Sequence, residues 1–263
     1  MLIPGLVSVT FKDLDAESII DLASCNGLKA IEWSENWHIK EGDCTKAQQL
    51  ADLCARKGLI IAALGSYYRL GSSSDFSTRL SVAQAMGTSV IKIWAGEKPS
   101  SEVGIEELAQ LAEEARDLAL QAEPLGITIV LEWHKNTLTD TNESAFAFLD
   151  LVDKPNFKAL WQPTAALSIE EREQGLLGLG KRLVNLHVYH WDASGRRPLE
   201  KGVGEWGRYF SLVDPSENHY ALLEFVKDNS KQQFEEDAAV LLGLVAGTLN
   251  NKRQGEHYGR PTC

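Results

Sequence analysis

The sequence predicts an eight-stranded parallel (β/α)8 TIM barrel, and three observations predict it. Short runs rich in β-branched and aromatic residues recur eight times along 263 residues, at intervals of about 30. Segments with apolar residues at every third or fourth position lie between them, the spacing of a helix with one buried face. Glycines stand where those helices should stop and a strand should start, at Gly27, Gly58 and Gly126. A doubly wound sheet has about six strands, whereas a β/α barrel fills about 250 residues as one unit.

Taken in order, the expected strands are LVSVTF (6–11), KAIEWS (29–34), LIIAALGS (59–66), SVIKIWAG (89–96), ITIVLEWH (127–134), FKALWQP (157–163), LVNLHVYH (183–190) and YALLEFV (220–226). Helical spacing is clear in AESIIDLASC, TKAQQLADLCARKG, STRLSVAQAMG, EELAQLAEEARDLALQA and KQQFEEDAAVLLGLVAG. GSSSD at 71–75 is short enough to be a loop tip, and no Gly/Ser/Pro linker divides the chain. Residues 1–250 are therefore expected to form a single barrel domain. The polar stretch 251–263 is expected as a C-terminal tail that docks on the barrel or on a neighbouring chain, which leaves a homo-oligomer open.

Composition narrows the function. Hydrophobic residues make up 44% and charged residues 24%, ordinary for a globular protein, and no apolar run approaches the roughly 18 residues of a membrane span. The start, MLIPGLVSVTF, has no basic leader ahead of an apolar block, so the expectation is a cytoplasmic protein with no membrane partner. Cys25, Cys44, Cys54 and Cys263 show no metal-knuckle spacing and are expected as free thiols. A net charge of −11 works against nucleic acid, because binding polyanions depends on Lys and Arg displacing counterions.

Side chains along a barrel strand alternate between the interior and the helices, and reactive groups collect at the strands' C-terminal ends. That rule selects Glu132, of opposite parity to Ile127, Ile129 and Leu131, and Glu224, of opposite parity to Leu223 and Phe225. Gln162 and His187 stand late on the two strands between. A histidine in a strand is commonly a hydrogen-bonded core residue, and Glu132 has a ready partner in Lys92 of the neighbouring strand. Four residues of ligand type on four consecutive strand ends point instead to a metal site. Two converging buried carboxylates call for a cation, and carboxylate, amide and imidazole together suit Mn²⁺, Mg²⁺, Co²⁺ or Zn²⁺.

The stretches VLEWHKNTLTDT, HVYHWD, RPLEKGVGEW and ALLEFVKD…QFEEDAAVL resemble the xylose isomerase-like superfamily of TIM barrels, in particular its sugar phosphate isomerase/epimerase group. The resemblance runs from the first strand to the last helix. It implies one catalytic divalent metal held by Glu, Asp, His and Glu, at places that here carry Glu132, Gln162, His187 and Glu224. Gln162 departs from that pattern, and Ala165 and Ala166 stand near where the family has a further histidine. An amide in place of a carboxylate weakens metal affinity but leaves the ion a stronger Lewis acid.

The implied reaction is proton transfer next to a carbonyl of a ketose or related polyol, with Glu132 and Glu224 as base and acid on opposite faces. A dehydratase of an inosose-like substrate on the same metal site, or a non-catalytic sugar-binding barrel, are the alternatives. The expected partner is a small-molecule sugar or polyol. Supporting residues late on their strands are Glu32, Lys92, Trp94 and His134, expected to bind substrate hydroxyls, to stack on the sugar or to orient metal ligands. The loop WDASGRRPLEKGVGEW brings Arg197, with Arg196 and Lys201, as a lid or a clasp for an anionic group.

Overall fold

The computed structural model describes residues 1–72 and 74–253. Residue 73 of the expected loop tip and residues 254–263 of the expected tail, including Cys263, lie outside the described residues. Eight parallel strands close into a barrel: β1 (Leu2–Val7), β2 (Ala30–Ser34), β3 (Ile60–Arg69), β4 (Val90–Trp94), β5 (Thr128–Glu132), β6 (Phe157–Trp161), β7 (Leu183–Val188) and β10 (His219–Leu223). The last strand pairs back onto the first, Leu2 to His219 through Leu6 to Leu223. Helices α1 (Ala16–Cys25), α2 (Cys44–Arg56), α3 (Ser77–Met86), α4 (Ile105–Ala122), α5 (Asn142–Val152), α6 (Ile169–Leu179), α7 (Val203–Leu212) and α8 (Lys231–Arg253) alternate with the strands. α8 thus continues into the stretch read as tail.

The helix ends follow local chemistry. Asp15, Asp43, Thr141 and Ser168 each accept a backbone N–H three residues on, and Ser168 completes a reciprocal capping box with Glu171. The three glycines expected at helix-to-strand turns have φ of 75°, 66° and 66°, the left-handed region that glycine enters without a Cβ clash. Cys25, Cys44 and Cys54 are free thiols. Among the described residues no helix is long and apolar enough to cross a membrane.

Two local expectations are corrected. The first strand starts at Leu2, not at residue 6, and Ser8–Phe11 forms a 3-10 turn. The polar side chains of that turn close neighbouring strand ends: Ser8 Oγ accepts the Ser34 N–H at 2.8 Å, and Thr10 Oγ1 accepts the Phe225 N–H at 3.1 Å. Glycine is what β1 needs at position 5, since a Cβ there would lie 2.5 Å from the Ala30 carbonyl oxygen. The second correction concerns the loop after β7, which carries an antiparallel hairpin, β8 (His190–Asp192) and β9 (Gly195–Arg197). Asp192 caps its turn by accepting the Ser194 N–H at 2.7 Å, and Gly195 takes φ of 106°.

The main apolar core lies between the sheet's outer face and the helices. Trp33, Trp133 and Trp161 belong to it, packing on the helix side of their strands, and all are essentially inaccessible. Trp161 packs edge-on against Trp206 and Tyr209 of α7, with centroids 6.1 and 5.1 Å away. A second, smaller cluster of Val7, Val9, Ala30, Ala62 and Leu222 fills part of the barrel interior. Its small side chains leave the interior's upper end to polar groups.

Candidate active site

Six buried polar side chains gather at the C-terminal end of the barrel interior: Glu32 on β2, Lys92 on β4, Glu132 ending β5, Gln162 just past β6, His187 on β7 and Glu224 just past β10. One ligand atom each of Glu132, His187 and Glu224 lie within 4.8 Å of one another. The alternation of the strands therefore brings together three of the four residues selected as metal ligands, from chain positions 92 residues apart, and the fourth touches them. Gln162 Nε2 donates to Glu132 Oε1 at 3.1 Å and to the Trp133 carbonyl at 2.8 Å, while its Oε1 is buried without a partner.

The pairing of Glu132 with Lys92 is also present, Nζ donating to Oε2 at 2.6 Å. Burial pushes the Glu132 carboxyl up, but Lys92, with His187 and His134 behind it, outweighs burial and holds it at about 2. His187 lies between two carboxylates, with Nε2 3.1 Å from Glu32 Oε2 and Nδ1 3.4 Å from Glu224 Oε2. Burial pushes the imidazole down, yet Glu224 and Glu32 outweigh it and raise His187 to about 10. The Nδ1 contact is an ion pair without hydrogen-bond geometry, so that atom has no hydrogen-bond partner.

This donor set fits a divalent cation. His187 Nδ1 and Gln162 Oε1 are buried polar atoms without hydrogen-bond partners beside two carboxylates, at a cost of about 1–3 kcal/mol each, and a cation that displaced the His187 proton would satisfy both. Glu32 binds the far nitrogen of His187, the arrangement in which an outer carboxylate fixes the ring of a metal-ligating histidine. Room for that carboxylate comes from Gly65 of β3, where a Cβ would lie 2.7 Å from Glu32 Oε1.

Above these groups opens a cavity of about 360 Å³, lined on one side by Tyr67, Lys92, Trp94, His134 and Lys135 and on the other by Tyr189, Trp191, Glu224 and Phe225. Glu32, Glu132, Gln162 and Lys12 line it too. His134 Nδ1 donates to the Lys135 carbonyl oxygen at 2.5 Å, which fixes the ring's orientation. Its ring stacks on Trp94 with centroids 4.6 Å apart. The guanidinium of Arg69 lies 3.6 Å from the centre of the Trp94 ring. Trp94 is thus already stacked by protein, and only its margin is left for a sugar.

Arg197 is not brought to the cavity. It sits exposed on the hairpin, paired at 3.0 Å with Asp192 of the neighbouring strand β8. Sequence reasoning missed Tyr67, Lys12 and Lys135. Tyr67 lies beyond the Gly65–Ser66 pair at which β3 was expected to stop, although the strand runs on to Arg69. The two lysines stand in turns, where period-two alternation gives no signal.

The family pattern of the xylose isomerase-like TIM barrel matches residues 20–244. The chain belongs to the xylose isomerase-like TIM barrel family. Within it, the chain is 24% identical over 270 residues to a 3-dehydroshikimate dehydratase of Bacillus anthracis, an alignment spanning 90% of this chain and 95% of that one. The crystal structure of a probable 3-DHS dehydratase from Bacillus anthracis superposes with a TM-score of 0.74 at 20% identity, covering 92% of this chain and 99% of that one. A D-allulose 3-epimerase from Methylomonas sp. gives 0.68 at 18%, covering 94% and 98%. An L-ribulose 3-epimerase gives 0.67 at 16%, covering 99% and 100%. At these identities the superpositions establish the shared barrel, and the chain sits in a family of enzymes that includes isomerases, epimerases and dehydratases.

Proposed function

We propose that this barrel is a divalent-metal-dependent enzyme that removes the proton next to a carbonyl of a ketose or related polyhydroxylated compound, as in an isomerase or epimerase. The observation that carries this reading is the convergence of Glu132, His187 and Glu224 at the barrel mouth, with Gln162 Oε1 and His187 Nδ1 lacking partners beside them. Glu132, Gln162, His187 and Glu224 would hold the ion. Its chemistry, when bound, is to polarise a carbonyl and so acidify the adjacent C–H.

The chain's own groups divide the remaining work. Glu224 lines the cavity with its Oε2 3.4 Å from His187 Nδ1, which suits it to accept and return a proton there. Glu132 would face the substrate from the other side, kept ionised by Lys92. Lys92 lines the cavity beside it and places a buried positive charge where negative charge develops on the substrate oxygen. Tyr189 and Trp191 line the cavity as well.

A second reading, dehydration, is favoured by one specific observation. Both Glu132 oxygens already accept hydrogen bonds, from Lys92 and Gln162, and its carboxyl is held at about 2, which makes it a weak base. His134, on the cavity wall, would then take the proton from carbon and pass it to the β-hydroxyl, which leaves as water. The dehydratase of Bacillus anthracis among the relatives accords with this outcome.

The test is exchange in ²H₂O with Mn²⁺-loaded protein over ketoses, inososes and 3-dehydroshikimate. Exchange at the carbon next to the carbonyl without loss of water supports isomerase or epimerase chemistry. Appearance of a conjugated, strongly absorbing product supports dehydration. Absence of both with every substrate, in protein shown to bind the ion, counts against the proton-transfer reading altogether.

A further inference from the structure

We propose that the substrate carries an anionic group, and that Lys12 and Lys135 clasp it at the cavity mouth. The inference rests on the reading of this cavity as a substrate site and adds what the substrate's outer end must be.

The protein is strongly acidic, with 37 Asp and Glu against 26 Lys and Arg, so a basic side chain near the site has carboxylates within easy reach. Lys92 pairs with Glu132 at 2.6 Å, Arg69 with Glu97 at 3.8 Å, and Arg197 with Asp192 at 3.0 Å. Lys12 and Lys135 differ. Both line the cavity, and among the described residues neither has an acidic partner within 4.0 Å.

Lys12 is also held in place without being neutralised. Its ammonium lies 4.2 Å over the Trp37 ring, and Trp37 Nε1 donates to the hydroxyl of Tyr67, itself a cavity residue, at 2.9 Å. An aromatic face steadies a cation while leaving its N–H groups directed to an incoming acceptor. Lys135 lines the same cavity next to His134, whose Nδ1 donates to the Lys135 carbonyl. Lys12 also borders a side cavity of about 260 Å³, which Arg196 and Lys231 line together with Asp13. Three basic side chains thus border this side cavity against one acidic one.

Depth and charge are thus divided. Inside lie carboxylates, an imidazole and an amide suited to an ion and to substrate oxygens. At the rim lie two unpaired ammonium groups. Both are exposed and hydrated, so a neutral sugar would gain nothing from their charge, whereas a polyhydroxylated carbonyl compound with a carboxylate or a phosphate ester at its far end would gain charge-assisted contacts. A charge-assisted hydrogen bond is about twice as strong as a neutral one.

The experiment measures affinity by thermal stabilisation of the Mn²⁺-loaded full chain with two matched pairs: 3-dehydroshikimate against its methyl ester, and D-allulose 6-phosphate against D-allulose. The expected result is that one charged member binds at least about tenfold tighter than its neutral partner, the pair that responds telling carboxylate from phosphate. That preference should shrink as salt rises from 0.05 to about 0.5 M, since the groups are exposed. The double variant Lys12→Met/Lys135→Met should take up Mn²⁺ like the parent and bind charged and neutral members alike. Equal binding within both pairs by the parent overturns the inference but leaves the proposed reaction standing. A preference that survives in the double variant, or does not weaken with salt in the parent, overturns it as well. If none of the four compounds binds, the substrate-site reading falls and this inference with it.

Discussion

The two faces of the same sheet are put to opposite uses. On the outer face Trp33, Trp133, Trp161 and their neighbours are packed against helices by shape alone, with aromatic partners from α5 and α7. On the inner face small apolar residues fill the lower part, and six polar groups, all buried, fill the top. The difference teaches that cohesion and chemistry are separated by a single step of strand alternation: Glu132 faces inward and Trp133 outward. If so, changes on the two faces should have separable consequences.

The largest effect is expected on the inner face. Glu224→Gln keeps the side chain's size while removing its charge and basicity, so turnover should fall by about 10²–10⁴-fold, the usual contribution of a proton-transfer group. The melting temperature should stay within a few degrees of the parent, read by circular dichroism. A variant that keeps its rate, or one that fails to fold, would break the separation.

The outer face should give the converse. Trp206→Ala on α7 removes a fully buried ring that contacts Trp161, Tyr209 and Phe210. A loss of about 3–5 kcal/mol in urea-unfolding stability is expected. Trp206 Nε1 also donates to the Tyr189 carbonyl at 2.8 Å, so some slackening of the cavity wall should accompany the loss. Exchange per folded molecule should nevertheless fall far less than in Glu224→Gln.

The next prediction sharpens the inner face itself. Glu32→Gln weakens the hold on His187 and should lower metal affinity by about 10–100-fold, measured by competition with a chelating dye. Gly65→Ala tests the same contact from outside, because its methyl group would meet the Glu32 carboxylate at 2.7 Å and displace it. Metal affinity should drop in both variants. A drop in the first alone would mean that Glu32 acts through charge and tolerates a shift in position.

Much of this was legible in the sequence, and the gaps have physical causes. Alternation along each strand is a short-range property, so the inward direction of Glu132, His187 and Glu224 could be read from their neighbours. What stacks on Trp94 could not be, because Arg69 and His134 reach it from different strand ends and no spacing rule links them. Gly65 gave no local sign of its purpose, since the group it admits, Glu32, lies on another strand. The hairpin after β7 did have a signal in Asp192, Ser194 and Gly195, but in a loop such residues fit several turns. Pairing with Asp192 is what draws Arg197 away from the mouth.

The smallest effect concerns the junction where the hairpin loop meets α8. Asp237 is buried, and its Oδ1 accepts the Leu199 N–H at 2.8 Å and Gln233 Nε2 at 2.9 Å. Burial raises its carboxyl above the ordinary 3.8, outweighing those two hydrogen bonds. A pKa that is higher in the folded than in the unfolded chain favours the protonated form on folding. The stabilisation is therefore complete below about pH 3.8 and is lost as pH rises through the raised value. Asp237→Asn keeps an acceptor oxygen but cannot ionise. Its stability relative to the parent should therefore increase from pH 3.5 to pH 7, by the amount the parent loses in ionising Asp237. Urea unfolding of both proteins at the two pH values checks this, and a difference that is constant with pH would mean that Asp237 is solvated enough to titrate as it does in the unfolded chain.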